Sequence, residues 1–177
     1  MSLPRVLAVV VLLAAVAGCD DSPLFRPTAG QAGRACQAVE YDVVEAALGV
    51  RFDTANAAQV QDSYSCVLSQ AGQSFPDLTV TLAGSAVDEL IFQTTVEPSG
   101  TTPLENLGRR AYQLSLPPAG DPTPSGPGVQ VGWLSAAPRI VTLRYTWPAG
   151  ASAEEVAALT PRLVEFARAI ETQIVAG

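Results

Sequence analysis

The side chains that do most enzymatic work are missing from this chain. It contains no histidine and no lysine, and all ten of its basic residues are arginines. Without histidine there is no Ser-His-Asp or Cys-His nucleophile system; without lysine there are no Ser-Lys pairs, Schiff bases or P-loop lysine. Paired carboxylates stand at Asp88-Glu89 and Glu154-Glu155. Each pair falls where a helix is expected to begin, a position at which the helix dipole favours acids without any acid-base role. No enzymatic activity, cofactor or metal is therefore expected. Two clusters remain that can bind rather than react. Trp133, Tyr145 and Trp147 fall on adjacent predicted strands and can line a pocket or fill a core. Arg109 and Arg110, after "LENLG", can hold an anion or pair with nearby acids.

Three cysteines complete the inventory: Cys19, Cys36 and Cys66. The first closes an export signal. Arg5 supplies a positive start, Val6 to Ala17 form an apolar run, and Val16-Ala17-Gly18 lead into Cys19. The run falls short of the roughly 20 residues a spanning helix needs. The order resembles the lipobox of bacterial lipoproteins, whose cysteine carries acyl chains such as palmitate after the preceding residues are cut away. On this reading residues 1–18 are a signal peptide, 19–35 a flexible tether rich in polar residues and proline, and 36–177 a single domain. The protein would sit on the outer face of the cell membrane, held by lipid on Cys19; two or more chains suffice for stable attachment. Cys36 and Cys66 are then an even pair in an oxidising setting, where a disulfide is expected. Such a bridge would add roughly 3 to 4 kcal/mol in the chain-entropy picture.

The roughly 160 residues after Cys19 suit one domain with a real core. The formal net charge is −7, and loss of Arg5 makes the rest more acidic still. Such a surface repels phosphate polymers and anionic headgroups, so no nucleic-acid partner is expected.

The elements that must position these residues alternate. "EYDVVEAALGV" has helical spacing, with Asp42 and Glu45 at capping-box distance and Gly49 at the stop. "YSCVLS" and "LTVTLA" alternate as strands. "SAVDELIFQTTV" reads as a short helix from Ser85. Three more strands come next in "RAYQLSL", "VQVGWLS" and "RIVTLRYTW", the last two joined as a hairpin by "AAP". The proline-rich segment Pro117–Gly128 is expected to be an exposed connection outside the sheet. The chain closes on an amphipathic helix in which Ser152 and Glu155 form a second capping box. Pro161 should kink or restart it, with Thr160 as a possible cap. The expected fold is α+β, a mainly antiparallel five-stranded sheet packed by helices in the order α-β-β-α-β-β-β-α.

The lipobox, the cysteine before a helix ending "AALG", the second cysteine in "YSCVL", the central "LGRRAY" and the last helix "LVEFARAIETQI" together resemble small uncharacterised lipoproteins of high-GC Gram-positive (actinobacterial) organisms. Several of those resemble PsbP-like sandwiches. Leu68 stands where that pattern often has tryptophan. The expected anchor together with the missing catalytic side chains points to a non-enzymatic binding or accessory module of the cell envelope, acting on an unidentified envelope protein. A second reading is a carrier of a small apolar or lipid ligand between sheet and helix. Cys19→Ser tests the address: the variant should leave the membrane fraction or accumulate as unprocessed precursor. Unchanged size and unchanged fractionation would refute the anchor.

Overall fold

Strand β7, Arg139–Thr146, is the last strand in the chain and lies in the middle of the sheet. The computed structural model describes residues 34–176; the expected signal peptide, Cys19 and the expected tether up to residue 33 lie outside the described residues. After a 3-10 turn over Arg34–Val39 come α1 (Tyr41–Leu48), β1 (Thr54–Val60), β2 (Ser63–Ser69) and β3 (Asp77–Gly84). Next are α2 (Glu89–Ile91), continued by a wide helical turn over Phe92–Val96, β4 (Thr102–Leu104), β5 (Arg110–Leu116), β6 (Gly128–Leu134), β7 and α3 (Ala153–Ala176).

The sheet has seven strands in the order β1-β2-β3-β7-β6-β5-β4, every neighbouring pair antiparallel. This corrects the five-stranded expectation and its element order. The two strands that the sequence did not disclose are the edges. β1, "TANAAQV", has no large alternating apolar residues and is mostly exposed; it pairs through its backbone with β2 from Thr54↔Ser69 to Val60↔Ser63. β4 is three residues long and contains Pro103, which lacks a backbone donor and is tolerated where one flank has no neighbour.

One face of the sheet carries Cys66, Leu68, Leu78, Val80, Val131, Trp133, Val141 and Leu143, all fully buried under α1, α3 and the first turn. Alternation by two makes this inevitable once the register is set, because a slip of one residue would turn all of them to the other side. On that other face a smaller core forms from Phe92 of the wide helical turn, Tyr112 and Leu134. Gly132 makes room there: a Cβ at this position would lie 2.3 Å from the Tyr112 ring.

The Cys36–Cys66 disulfide is present, with Cα atoms 5.1 Å apart and both residues fully buried. It fastens the turn before α1 to β2. α1 ends as expected at Gly49, left-handed at φ 70°, but its start differs: Glu40 is the cap and makes no side-chain capping bond, so Asp42 and Glu45 form no box. The short helix begins at Glu89 rather than Ser85, capped by Asp88, whose Oδ1 accepts the Ile91 N–H at 2.8 Å.

α3 has its predicted box. Glu155 accepts the Ser152 N–H at 2.7 Å, and Ser152 Oγ accepts the Glu155 N–H at 3.2 Å. The helix then runs unbroken through Pro161, and Thr160 is no cap but donates its hydroxyl to the Val156 carbonyl at 2.6 Å. Leu159, Leu163 and Phe166, buried on both sides of the proline, hold the helix together where one backbone donor is missing.

The proline-rich segment also departs from expectation at its end. Ser125 and Gly126 are buried. The Gly126 N–H donates to the Trp147 carbonyl at 2.8 Å, and the Trp147 N–H donates to the Pro127 carbonyl at 2.9 Å. The loop therefore prolongs the β6–β7 ladder. Only glycine fits at 126, since a Cβ would come within 2.1 Å of the Pro148 carbonyl oxygen.

At the opposite end, Glu171 of α3 ties helix to sheet. Its two oxygens accept the Trp133 indole N–H at 2.8 Å and the Ala136 backbone N–H at 2.9 Å. Glu171→Ala leaves both donors without their acceptor, and a bond to a charged group contributes about 1.5 to 3 kcal/mol. Chemical denaturation should register a loss on that order, smaller in Glu171→Gln, which keeps one acceptor. An unchanged midpoint for the alanine variant would show that the clamp contributes nothing.

Candidate functional site

The predicted aromatic cluster divides. Trp133 is fully buried in the core, its one polar atom engaged by Glu171. Tyr145 and Trp147 lie at the other end of the strands, ring centroids 4.5 Å apart at 71°, an edge-to-face pair. They are 3% and 5% exposed, so little of either ring reaches the surface.

Both line a cleft of about 650 Å³ at the rim of the sandwich, where the end of α1, the β2–β3 loop, the end of β7 and the first turns of α3 converge. Arg51 and Arg162 line it, with Gln70, Pro76 and Leu159. Neither arginine stands out in the sequence. Arg51 comes just after the α1 stop and Arg162 just after Pro161, and no local spacing links positions so far apart. Tertiary folding alone brings them together.

The position of Arg162 has a physical cause. Its Nε donates at 3.0 Å to the Ala47 carbonyl, one of the acceptors left open at the end of α1. A cation there is favoured by the helix dipole. Gly49 lets the guanidinium settle over the helix end: a Cβ at 49 would stand 3.2 Å from Arg162 Nη1. The terminal nitrogens of Arg162 have no carboxylate partner among the described residues, nor does Arg51. The one acid lining the cleft, Glu155, is exposed and stays ionised, its carboxyl held below the usual range by the Ser152 backbone N–H and then by the Ser152 hydroxyl. The cleft thus sets two arginines against this single carboxylate, beside aromatic rings and apolar carbon.

Tyr145 is not a base. Burial, and then the charge on Asp77, push its phenol up to about 12, so it stays neutral at any ordinary pH. Asp77 lies on the other face of the sheet, opposite Thr146 in register. Burial raises its carboxyl above the ordinary carboxylate value, against the lowering pull of Thr146, Thr79 and Arg144. Thr79 Oγ1 donates to Oδ2 at 3.3 Å, while Oδ1 is enclosed and makes no well-formed hydrogen bond, although Thr146 faces it.

Arg109 and Arg110 are not in this cleft. Residue 110 pairs with Leu134 at the far end of β5, about 20 Å of strand from the rim. Arg109 Nε is 3.5 Å from Glu89, and Arg110 Nε donates to Glu97 at 2.9 Å, with the Thr101 hydroxyl on the other Glu97 oxygen. Both have local partners and neither faces a shared anion site. The carboxylate pairs are likewise split between duties: Asp88 caps α2, Glu89 meets Arg109 and Glu155 caps α3.

Among the described residues, no three His, Cys, Asp or Glu side chains gather where they could hold a metal, and no helix is long and apolar enough to cross a membrane. Comparison with protein-family models, with curated proteins and with solved structures found no match.

Asp77 yields a pH test. An acid whose folded value is raised destabilises the native state at neutral pH. That cost disappears as pH falls through the folded value to the ordinary one near 3.9. Asp77→Asn should therefore be more stable than the parent at pH 7, with the difference shrinking toward about pH 3.5. Melting curves across this range check it; a variant less stable than the parent at pH 7 would reverse the sign.

Proposed function

We propose that this chain is a non-catalytic binding module, displayed on an acyl anchor outside the cell membrane, that holds a small ligand in the cleft at Tyr145 and Trp147. The observation that carries this reading is the company those rings keep in the lining of one cleft: Pro76 and Leu159 beside them, and Arg51 and Arg162, whose terminal nitrogens no carboxylate claims among the described residues. That combination suits a ligand with an apolar body and an anionic group. Its volume is within the range of small-molecule sites, roughly 300 to 1,000 Å³. Of the two functions inferred from the sequence, the geometry favours the carrier over the protein-binding accessory, with the pocket at the rim rather than between sheet and helix. The lipobox resemblance supports the location, and the missing catalytic side chains support binding without turnover.

Trp147 reports on the cleft, because Trp133 is sealed in the core. In the full chain reconstituted into phosphatidylcholine vesicles, 3-phenylpropionate should perturb Trp147 emission saturably, whereas the uncharged amide should not. Arg51→Gln and Arg162→Gln should each weaken the carboxylate about tenfold, the loss of a charged hydrogen bond. Trp147→Phe should abolish the response while leaving Trp133 emission in place. Equal responses to acid and amide, or none to either, would contradict the proposal.

A further inference from the structure

Arg162 lines more than the cleft. A second cavity, of about 350 Å³, begins at the same residue and continues along the outside of the seam between α1 and α3. It is lined by Val43 and Ala47 of α1 and by Pro161, Phe166 and Ala169 of α3. Its only acid, Glu165, is already paired with Arg168. Val43 is 43% exposed, an uncommon position for a valine on a helix that has an apolar face to bury. The two cavities succeed one another along α3: the first takes Glu155 to Arg162, the second Pro161 to Ala169. From Glu155 to Ala169 the helix advances about 21 Å.

The chemistry changes once along this path, at the arginine. The first cavity holds Tyr145, Trp147, Arg51 and Arg162; the second, past Arg162, is lined mostly by carbon. A compact polar ligand would use only the first part, and a neutral oil would leave the guanidinium unsatisfied. A molecule with one anionic head and one alkyl chain uses both, each methylene in the trough contributing up to about 0.8 kcal/mol. We infer that the ligand is a single-chain carboxylate amphiphile, its head at Arg51 and Arg162 and its chain in the trough between α1 and α3. This rests on the reading of the cleft as a ligand site. An anionic bilayer surface is a poorer occupant, because the chain as a whole carries a formal charge of −7.

The test uses the full chain in phosphatidylcholine vesicles and a dodecanoate probe bearing a photoreactive group at its terminal carbon, with peptide mapping of the product. The label should fall on the α1 and α3 peptides that contain Val43 and Phe166. Excess dodecanoate should compete it away, while dodecanol should not. Val43→Asp should reduce labelling about tenfold while leaving the 3-phenylpropionate response intact; it is an exposed position, so the fold should tolerate it. Arg51→Gln combined with Arg162→Gln should reduce both. Label spread over other peptides, competition by dodecanol equal to that by dodecanoate, or labelling only when anionic lipid is added to the vesicles would overturn the inference. If 3-phenylpropionate still binds in that event, the cleft stands and only the chain-binding trough is lost. If neither probe binds, the cleft itself is not the site.

Discussion

Everything in this domain depends on β7 finding its place between β3 and β6. Strands β1 to β3 form one meander and β4 to β6 another, and they become one sheet only where β7 pairs with β3 from Asp77↔Thr146 to Gly84↔Arg139. The partners are far apart in sequence, so the chain must close a long loop before this contact returns any free energy. The same strand places Val141 and Leu143 in the core, extends into Trp147, and thereby fixes both the rim aromatics and the start of α3. Its alternation, apolar on one face and Thr142 and Arg144 on the other, is what makes the register unambiguous.

Two fastenings act on top of this pairing. The Cys36–Cys66 bridge holds the first turn and α1 against β2 on one half of the sheet. Glu171, bonded to Trp133 and Ala136, holds α3 against the β6–β7 hairpin on the other. Between them α1 and α3 lie side by side, and the Arg162 bond to the Ala47 carbonyl fixes the end of one helix to the flank of the other. The cleft is a by-product of that arrangement. It lies where the end of α1, the start of α3 and the end of β7 meet.

The sequence made the interior legible because interior strands must alternate large apolar residues: "LTVTLA" and "RIVTLRYT" declare themselves, and the cysteine pair and the Ser152-Glu155 box arise from local chemistry. The edges were not legible. β1 is built from alanine, asparagine and glutamine, and β4 is three residues around a proline; both are strands because a neighbour supplies the ladder. Pro161 misled for a related reason, since local propensity forecast a break and buried neighbours overrode it. Of the site, Tyr145 and Trp147 could be seen as a pair, but Trp133 belonged to the core. Arg51 and Arg162 left no trace, because side chains drawn together by the fold share no spacing in the chain. Arg109 and Arg110, conspicuous as neighbours in sequence, proved to be two separate ion pairs.

The central claim is that the rim cleft takes an anionic ligand against Trp147, and the two indole N–H groups separate this from every general effect. Trp133 is locked to Glu171, whereas Trp147 borders the cleft. In a proton–nitrogen correlation spectrum titrated with 3-phenylpropionate, the Trp147 indole signal should move saturably while that of Trp133 holds still. Movement of both together, or of neither, would contradict the account.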